Sequence, residues 1–150
     1  MEILLVSFKQ FSCIKTFKGC KTLAIFKRRP MVYKKQDKFY PARFTHMMIY
    51  NSQSHAITGI VKAGEIITRT AYQWTEYELR NLCMSRDEII EFLKSPSAVG
   101  VGIVMSKPRL FPNPIPREVM IRDFNIKPPQ HPKYLIEDEV RKIAIYATRT

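Results

Sequence analysis

The stretch FKGCKTLAIFKRRP, residues 17–30, combines the residue types that phosphate binding and amine chemistry require. Lys21 precedes an apolar run that ends in Lys27, Arg28 and Arg29. A lysine acts as a base or nucleophile when burial or neighbouring cations lower its pKa. The same ammonium group, with the three cations that follow, can instead bind phosphate oxygens. The stretch therefore predicts either a catalytic lysine or a phosphate-binding surface.

Metal and disulfide chemistry have little support in the sequence. The three cysteines, Cys13, Cys20 and Cys83, form no CxxC pair and lack the spacing of a zinc site. The three histidines are scattered along the chain. We therefore predict no metal and no cofactor, and we expect the cysteines to be small, half-buried side chains in a reducing compartment.

Positive charge is concentrated in the first third of the chain. The formal net charge is +12, and residues 1–45 hold eleven Lys or Arg against two acidic residues. The other 105 residues hold fourteen against eleven. A one-sided basic surface attracts polyanions, so we expect a nucleic acid as the partner. The alternative is a soluble basic protein with no polyanion partner.

The length of 150 residues predicts a single domain spanning 1–150. The closing helix predicted over 136–147 divides it into a core at about 2–135 and a C-terminal helical extension at 136–150. No apolar run approaches the ~20 residues that span a membrane, so we expect no membrane partner. The N-terminal MEILLVSFKQ has an acid where a signal peptide needs a basic start, which predicts a cytoplasmic protein. The oligomeric state is left open.

Short strands and helices alternate along the chain. Apolar Phe11, Ile14 and Phe17 predict a helix that ends at Gly19. Ser85 and Glu88 form a capping-box pattern before a second apolar helical face. We predict strands over 2–8, 21–29, 46–52, 55–70 and 98–105, and helices over 9–19, 71–84, 85–94 and 136–147, with a loop over 31–45. These elements predict a small α+β domain around a curved sheet or barrel.

Two proline-rich segments, KPRLFPNPIP and IKPPQHPKYLI, lie in the last third of the chain. We predict that they are stiff, extended connections held on the domain by the apolar residues between the prolines. The alternative is that this third of the chain is a protein-interaction adaptor.

The order of these pieces resembles the ASCH domain, a family in the PUA-like superfamily. The resemblance is carried by EILLVSFK, FKGCKTLAIFKRR, MMIYNSQSHAITGIVKAGEII, SRDEIIEFL and PPQHPKYL, and it covers about residues 2–135. It implies an α+β fold with a small, mostly antiparallel PUA-like β-barrel and two to four peripheral helices. It also implies a cleft beside the Gly-x-Lys segment that receives RNA or a nucleoside.

The resemblance carries over to the chemistry only in part. Gly19, Lys21 and Thr22 fall on the family's Gly-x-Lys-Thr, whereas Ala24 stands where the acetylcytidine amidohydrolases of the family have a catalytic threonine. Their mechanism also needs a distant glutamate, for which Glu65 is the first candidate. We therefore predict an RNA-binding module, with an acetylcytidine amidohydrolase-like hydrolase or a ribonuclease as the alternative, in which Lys21 and Glu65 would be catalytic.

Aromatic and polar residues complete the predicted binding site. Tyr50, Asn51 and Ser52 end a strand that the resemblance places beside the cleft, and Trp74 would either stack on a base or anchor the core. The mixed aromatic and basic residues of 31–45 suit the binding of single-stranded RNA. They fit equally well a loop whose lysines are solvated and whose aromatic rings reach into the core. The predicted nucleic-acid-binding residues are Lys21, Thr22, Lys27, Arg28, Arg29, Tyr50, Asn51, Ser52 and Trp74.

Overall fold

The structure is a computed structural model that describes residues 2–34, 38–41 and 43–149, with backbone only for 31–34 and 38–41. The aromatic and basic side chains of residues 31–41 thus lie outside the described residues. In chain order the elements are β1 (Ile3–Phe8), α1 (Gln10–Phe17), β2 (Leu23–Phe26), β3 (Met31–Lys34), β4 (Lys38–Pro41), β5 (His46–Asn51), β6 (Ala56–Arg69), a 3-10 helix (Ala71–Gln73), α2 (Glu76–Leu82), α3 (Arg86–Leu93), β7 (Gly100–Pro116), α4 (Arg117–Phe124), β8 (Lys133–Leu135) and α5 (Glu137–Ala147).

Six strands form one sheet in the order β2-β7-β6-β5-β1-β8. The pairing of β1 with β5 is parallel and the other pairings are antiparallel, so the mostly antiparallel prediction is confirmed. Within the described residues the sheet is open, and the predicted closed barrel is wrong. The edge strands β2 and β8 have only four and three residues, and each pairs with a single neighbour. The described chain also has five α-helices, against the two to four predicted.

Residues 31–45 contain more structure than the predicted loop. β3 and β4 pair with each other as an antiparallel hairpin outside the six-stranded sheet. Valine, tyrosine and phenylalanine occur in the two strands of this hairpin, and these residue types favour strands. Each strand of the hairpin has only four residues, which is too short for a clear alternation of apolar and polar residues.

The first proline-rich segment is the second half of strand β7 and not a connection. β7 pairs with β6 through to Pro116, whereas its other neighbour β2 pairs only with residues 101–104. Proline has no N–H to donate, and an edge without a partner strand tolerates it. Helix α4 follows directly and was not predicted. A segment paired in this way is not a free proline-rich ligand, which counts against the adaptor alternative.

The central sheet is buried on both faces. Ile3 and Leu5 of β1 join a cluster with α4 and α5, while Leu4 and Val6 join a second cluster on the opposite face. This explains the continuous apolar run of β1, since successive strand residues point to opposite faces. Ile143 of α5 is fully buried in the first cluster, so the C-terminal helix packs as part of the core.

A third apolar cluster joins β2 to the 3-10 helix, α2 and α3. The single helix predicted over 71–84 is divided here, because Thr75 begins α2 with a capping box to Glu78. The capping box predicted for Ser85 and Glu88 is confirmed at α3. No helix in the described residues has the length and apolar character needed to cross a membrane.

Candidate functional site

Lys21 lies in the short segment between α1 and β2, with its side chain directed inward. Gly19 adopts a φ of +79°, as predicted for a residue that ends a helix, and turns the chain towards α2. The backbone N–H of Thr22 then donates to the Asn81 carbonyl at 3.0 Å. The Lys21 ammonium donates to the Leu82 carbonyl at 2.5 Å. These two hydrogen bonds hold segment 19–22 against the C-terminal end of α2.

Burial changes the acidity of this lysine. The side chain of Lys21 is only 6% exposed, and this burial lowers its pKa from 10.5 to about 8. The charge of the Cys83 thiolate, when present, acts in the opposite direction and favours the ammonium. A pKa in this range makes the neutral amine accessible near physiological pH, which is one of the two requirements for a catalytic lysine.

The second requirement, a positioned side-chain partner, is not met by the residues predicted for it. The hydrogen-bond acceptor of Lys21 is a backbone carbonyl, and Ala24 is a buried residue of β2. Glu65 is exposed on β6, and within the described part of the chain it forms no ion pair. The structure therefore brings Lys21 to the end of α2 and not into a pair with Glu65.

A shallow depression of about 460 Å³ lies beside the turn that Lys21 contacts. It is formed by the end of α2 and the start of α3, and it is open to solvent. Two cations, one acid and two sulfur-bearing side chains are among the residues that line it: Glu76, Leu79, Arg80, Cys83, Met84, Ser85 and Arg86. The depression is open, and it lacks the enclosure that is typical of small-molecule sites.

Lys27, Arg28 and Arg29 follow β2 directly and are all exposed. The Lys27 ammonium lies 5.2 Å from the centre of the Phe92 ring, a cation–π contact with α3. Among the described residues, none of these three cations is in an ion pair. We call these three exposed cations at the end of β2 the positive edge.

Two aromatic residues predicted to stack on bases are buried. Trp74 is 1% exposed and packs in the cluster formed with α2 and α3. A Cβ added at Gly102 would lie 2.9 Å from the Trp74 ring, so this glycine makes room for the indole. Tyr50 is 3% exposed, and its hydroxyl lies 3.4 Å from Nδ1 of His55. In this structure neither ring offers a face to a ligand.

Asn51 and Ser52 organise the turn between β5 and β6. The Asn51 side-chain oxygen accepts hydrogen bonds from the backbone N–H groups of Gln53 and Ser54, and its amide donates to Gln10. The Ser52 hydroxyl donates to a backbone carbonyl at the end of β1. These bonds occupy the polar groups that the sequence analysis assigned to base recognition.

A basic row across the sheet was missed in the sequence analysis. His46 of β5 pairs directly with Lys62 of β6, and Arg109 of β7 pairs with Ile60, two residues away from Lys62 on the same strand. Residues two apart on a strand share a face. Burial, then the charges of Lys62 and Arg109, lower the pKa of His46. Strand register brings together the His46 imidazole and the two cations, although the three residues are far apart in sequence.

Exposed aromatic rings also lie beside cations. Phe11 is 58% exposed with the Lys15 ammonium 5.5 Å from its ring centre, and Tyr72 is 71% exposed with the Arg86 guanidinium at 5.8 Å. Tyr77 at the start of α2 is similarly exposed. The described residues contain no cluster of three His, Cys, Asp or Glu that could hold a metal ion.

The architecture matches solved structures over nearly its whole length. The crystal structure of ASCH from Zymomonas mobilis has a TM-score of 0.78 and 17% identity, covering 95% of this chain and 94% of that one. This chain has the ASCH fold. Two mutant proteins of ZmASCH, one with a serine-to-alanine and one with a tyrosine-to-phenylalanine substitution, give TM-scores of 0.79 and 0.80 at 16% and 15% identity. These matches cover 95% and 97% of this chain and 94% and 98% of theirs.

The resemblance to the ASCH domain predicted from the sequence is thus confirmed as a fold. No family model matches the sequence, and no curated protein matches it. In this chain segment 19–22 lies between α1 and β2 and contacts the end of α2, and the positive edge follows β2 directly.

Proposed function

We propose that this protein is an ASCH-fold module that binds single-stranded RNA. The observation that carries the proposal is the positive edge Lys27–Arg29, which is exposed and free of ion pairs among the described residues. Arginine presents planar N–H donors that match phosphate oxygens, and lysine adds a mobile charge. With a net charge of +12, the chain attracts a polyanion from a distance, and the exposed edge gives that attraction a site.

The proposed interface differs from the predicted one in its aromatic residues. In this proposal the stacking residues are Tyr72 and Tyr77 and not Tyr50 and Trp74. Tyr72 and Tyr77 are 71% and 68% exposed, and they lie near the depression at the end of α2. Unpaired bases stack on exposed aromatic faces, which duplexes cannot do. In this proposal Arg80 contacts phosphates between the stacked bases.

Lys21 has a positioning role in the proposed module. Its bond to Leu82 fastens segment 19–22 to α2 and so fixes the distance between the depression and β2, which leads to the positive edge. To contact a phosphate itself, the ammonium would have to leave the Leu82 carbonyl and become exposed.

A binding titration with matched controls tests the proposal. A labelled single-stranded RNA oligomer should bind more tightly than duplex DNA of the same length, and the affinity should fall as salt rises. The double variant Arg28→Ala/Arg29→Ala should flatten the salt slope by about one unit for each phosphate that is no longer neutralised. The control Arg122→Ala/Arg141→Ala removes the same charge from arginines that are paired with Asp123 and Asp138, and it should bind nearly as wild type.

Two results would refute the proposal. One is the absence of RNA binding at tens of micromolar protein in low salt. The other is an equal reduction of affinity in both double variants, which would mean that net charge alone governs binding.

A hydrolase acting on a modified nucleoside, or a ribonuclease, is the second candidate, and the lowered pKa of Lys21 is the observation that favours it. A buried lysine with a pKa of about 8 is unusual for a structural residue. The candidate ranks second because Ala24 supplies no hydroxyl and Lys21 is bonded to a backbone carbonyl.

A further inference from the structure

Cys20 and Cys83 lie next to each other on either side of the Lys21 contact. The Cys83 thiol donates to the backbone carbonyl of Cys20, with the sulfur 3.7 Å from the oxygen, although the residues are 63 positions apart in sequence. Cys20 is exposed, and Cys83 is partly exposed at the rim of the depression. The contact joins two segments that the hydrogen bonds of Lys21 and Thr22 already hold together.

The 3.7 Å contact places the Cys83 sulfur against the backbone of Cys20. The carbonyl oxygen and Cα of one residue are about 2.4 Å apart, so the Cys83 sulfur is within about 6 Å of the Cys20 Cα. Cys20 is exposed, and Cys83 is partly exposed, so solvent reaches both thiols. Disulfides require Cα atoms about 4.4–6.8 Å apart, and the proposal requires that this turn bring the two residues to that separation.

Cys13 is the contrasting thiol in the same chain. It is 4% exposed in the core, and burial raises its pKa to about 11. A thiol in such an environment is a poor nucleophile and is out of contact with oxidants in solution. The chain therefore contains two accessible cysteines in contact and one inert cysteine.

We propose that Cys20 and Cys83 form a reversible intramolecular disulfide, with a low-molecular-weight disulfide such as glutathione disulfide as the oxidant. The exposed Cys20 thiolate attacks the glutathione disulfide, forms a mixed disulfide and releases one glutathione thiolate. The Cys83 thiolate then attacks the Cys20 sulfur, forms the protein disulfide and releases the second glutathione. The protein loses two hydrogen atoms, and two glutathione thiols are formed. A reducing compartment would keep Cys20 and Cys83 as thiols until the concentration of glutathione disulfide rises.

The bond would act on the candidate site directly. It would join segment 19–22 covalently to the end of α2, where the depression begins, and it would close the long loop between the two cysteines. Closing a long loop restricts the unfolded chain, so the oxidised protein should unfold at a higher denaturant concentration than the reduced protein. The inference stands independently of RNA binding.

Mass spectrometry of the full chain tests the proposal. The protein is incubated with glutathione disulfide, the free thiols are blocked, and trypsin is added without reductant. The expected product is a crosslink between peptide 19–21, which carries Cys20, and peptide 81–86, which carries Cys83. Peptide 10–15 should contain Cys13 as a blocked free thiol, and dithiothreitol should remove the crosslink.

Single variants decide between the possible outcomes. Cys20→Ser and Cys83→Ser should each stop at a mixed disulfide with glutathione, while Cys13→Ala should still form the crosslink. Three free thiols after oxidation, a stable glutathione adduct in the wild type, a crosslink that involves Cys13, or a disulfide between two chains would each overturn the proposal. Near-ultraviolet and far-ultraviolet circular dichroism of each variant confirms that the fold is intact.

Discussion

The ammonium nitrogen of Lys21 lies 2.5 Å from the carbonyl oxygen of Leu82, the last residue of α2. The last carbonyls of a helix have no partner within the helix and carry its partial negative charge. A cation at this position satisfies one of them. Lys21, the main catalytic candidate from the sequence, thus has a structural contact with α2. A structural role and a catalytic role for Lys21 predict different experimental results.

The pH dependence of stability should report on Lys21. Its pKa is about 8 in the native state and 10.5 ordinarily, so between these pH values the unfolded chain holds a proton that the native state has released. The free energy of unfolding should therefore rise with pH across this window, by an amount on the order of a few kcal/mol, while below about pH 8 the full cost of burying the charge is present.

Urea unfolding at a series of pH values measures this rise. Lys21→Met should abolish most of it, while the exposed control Lys27→Met should keep it. If Lys21→Met and wild type showed parallel pH profiles, the charge of Lys21 would not be linked to folding in the proposed way.

Catalytic turnover separates the second candidate function from the first. We expect no hydrolysis of acetylcytidine above the uncatalysed rate, because Ala24 supplies no hydroxyl. Product formation is followed by liquid chromatography for wild type and for Lys21→Ala. Turnover by the wild type that disappears in a folded Lys21→Ala variant would reverse the ranking of the two functions.

Aromatic substitutions should show which rings contact RNA. Tyr72→Ala should weaken RNA binding by about 1–3 kcal/mol with little change in the salt slope, as expected when one base can no longer stack. Tyr50→Phe should leave the affinity unchanged, since Tyr50 is 3% exposed. A larger reduction of affinity for Tyr50→Phe than for Tyr72→Ala, measured by titration, would place the binding surface elsewhere.

The basic row on the sheet is a separate test of electrostatics. Lys62→Ala combined with Arg109→Ala should raise the pKa of His46, because two cations that disfavour its protonation are removed. The shift is read from the His46 imidazole resonances in an NMR titration. If RNA uses this row, the same variant should also flatten the salt slope of binding. An unchanged His46 titration would contradict the arrangement of the three residues.

Gly59 should tolerate substitution poorly for a steric reason. An added Cβ would lie 2.5 Å from the Arg109 carbonyl oxygen and 2.6 Å from the Phe17 ring, where α1 packs on β6. Gly59→Ala should destabilise the protein by about 1–3 kcal/mol. Gly64→Ala is the matched control, since its Cβ would meet Val104 at an ordinary 3.6 Å. Equal unfolding midpoints for the two variants would refute this packing.

Several features of the fold follow from the sequence by itself. The capping box of Ser85 and Glu88, the left-handed Gly19 just after α1 and the doubly buried strand β1 depend on residues within a few positions of each other. Local propensity and hydrophobic period therefore predict them well. The order of these pieces was also enough to indicate the ASCH fold.

Tertiary structure alone decided the composition of the candidate site. Lys21 meets a carbonyl 61 positions away, and His46, Lys62 and Arg109 become neighbours through strand register. The burial of Trp74 depends on the space left by a glycine on another element. Each of these contacts joins distant segments, and no local pattern records which segments will meet. Burial and register are properties of the packed sheet, so they set the pKa of Lys21 and the exposure of each aromatic ring only once the chain has folded.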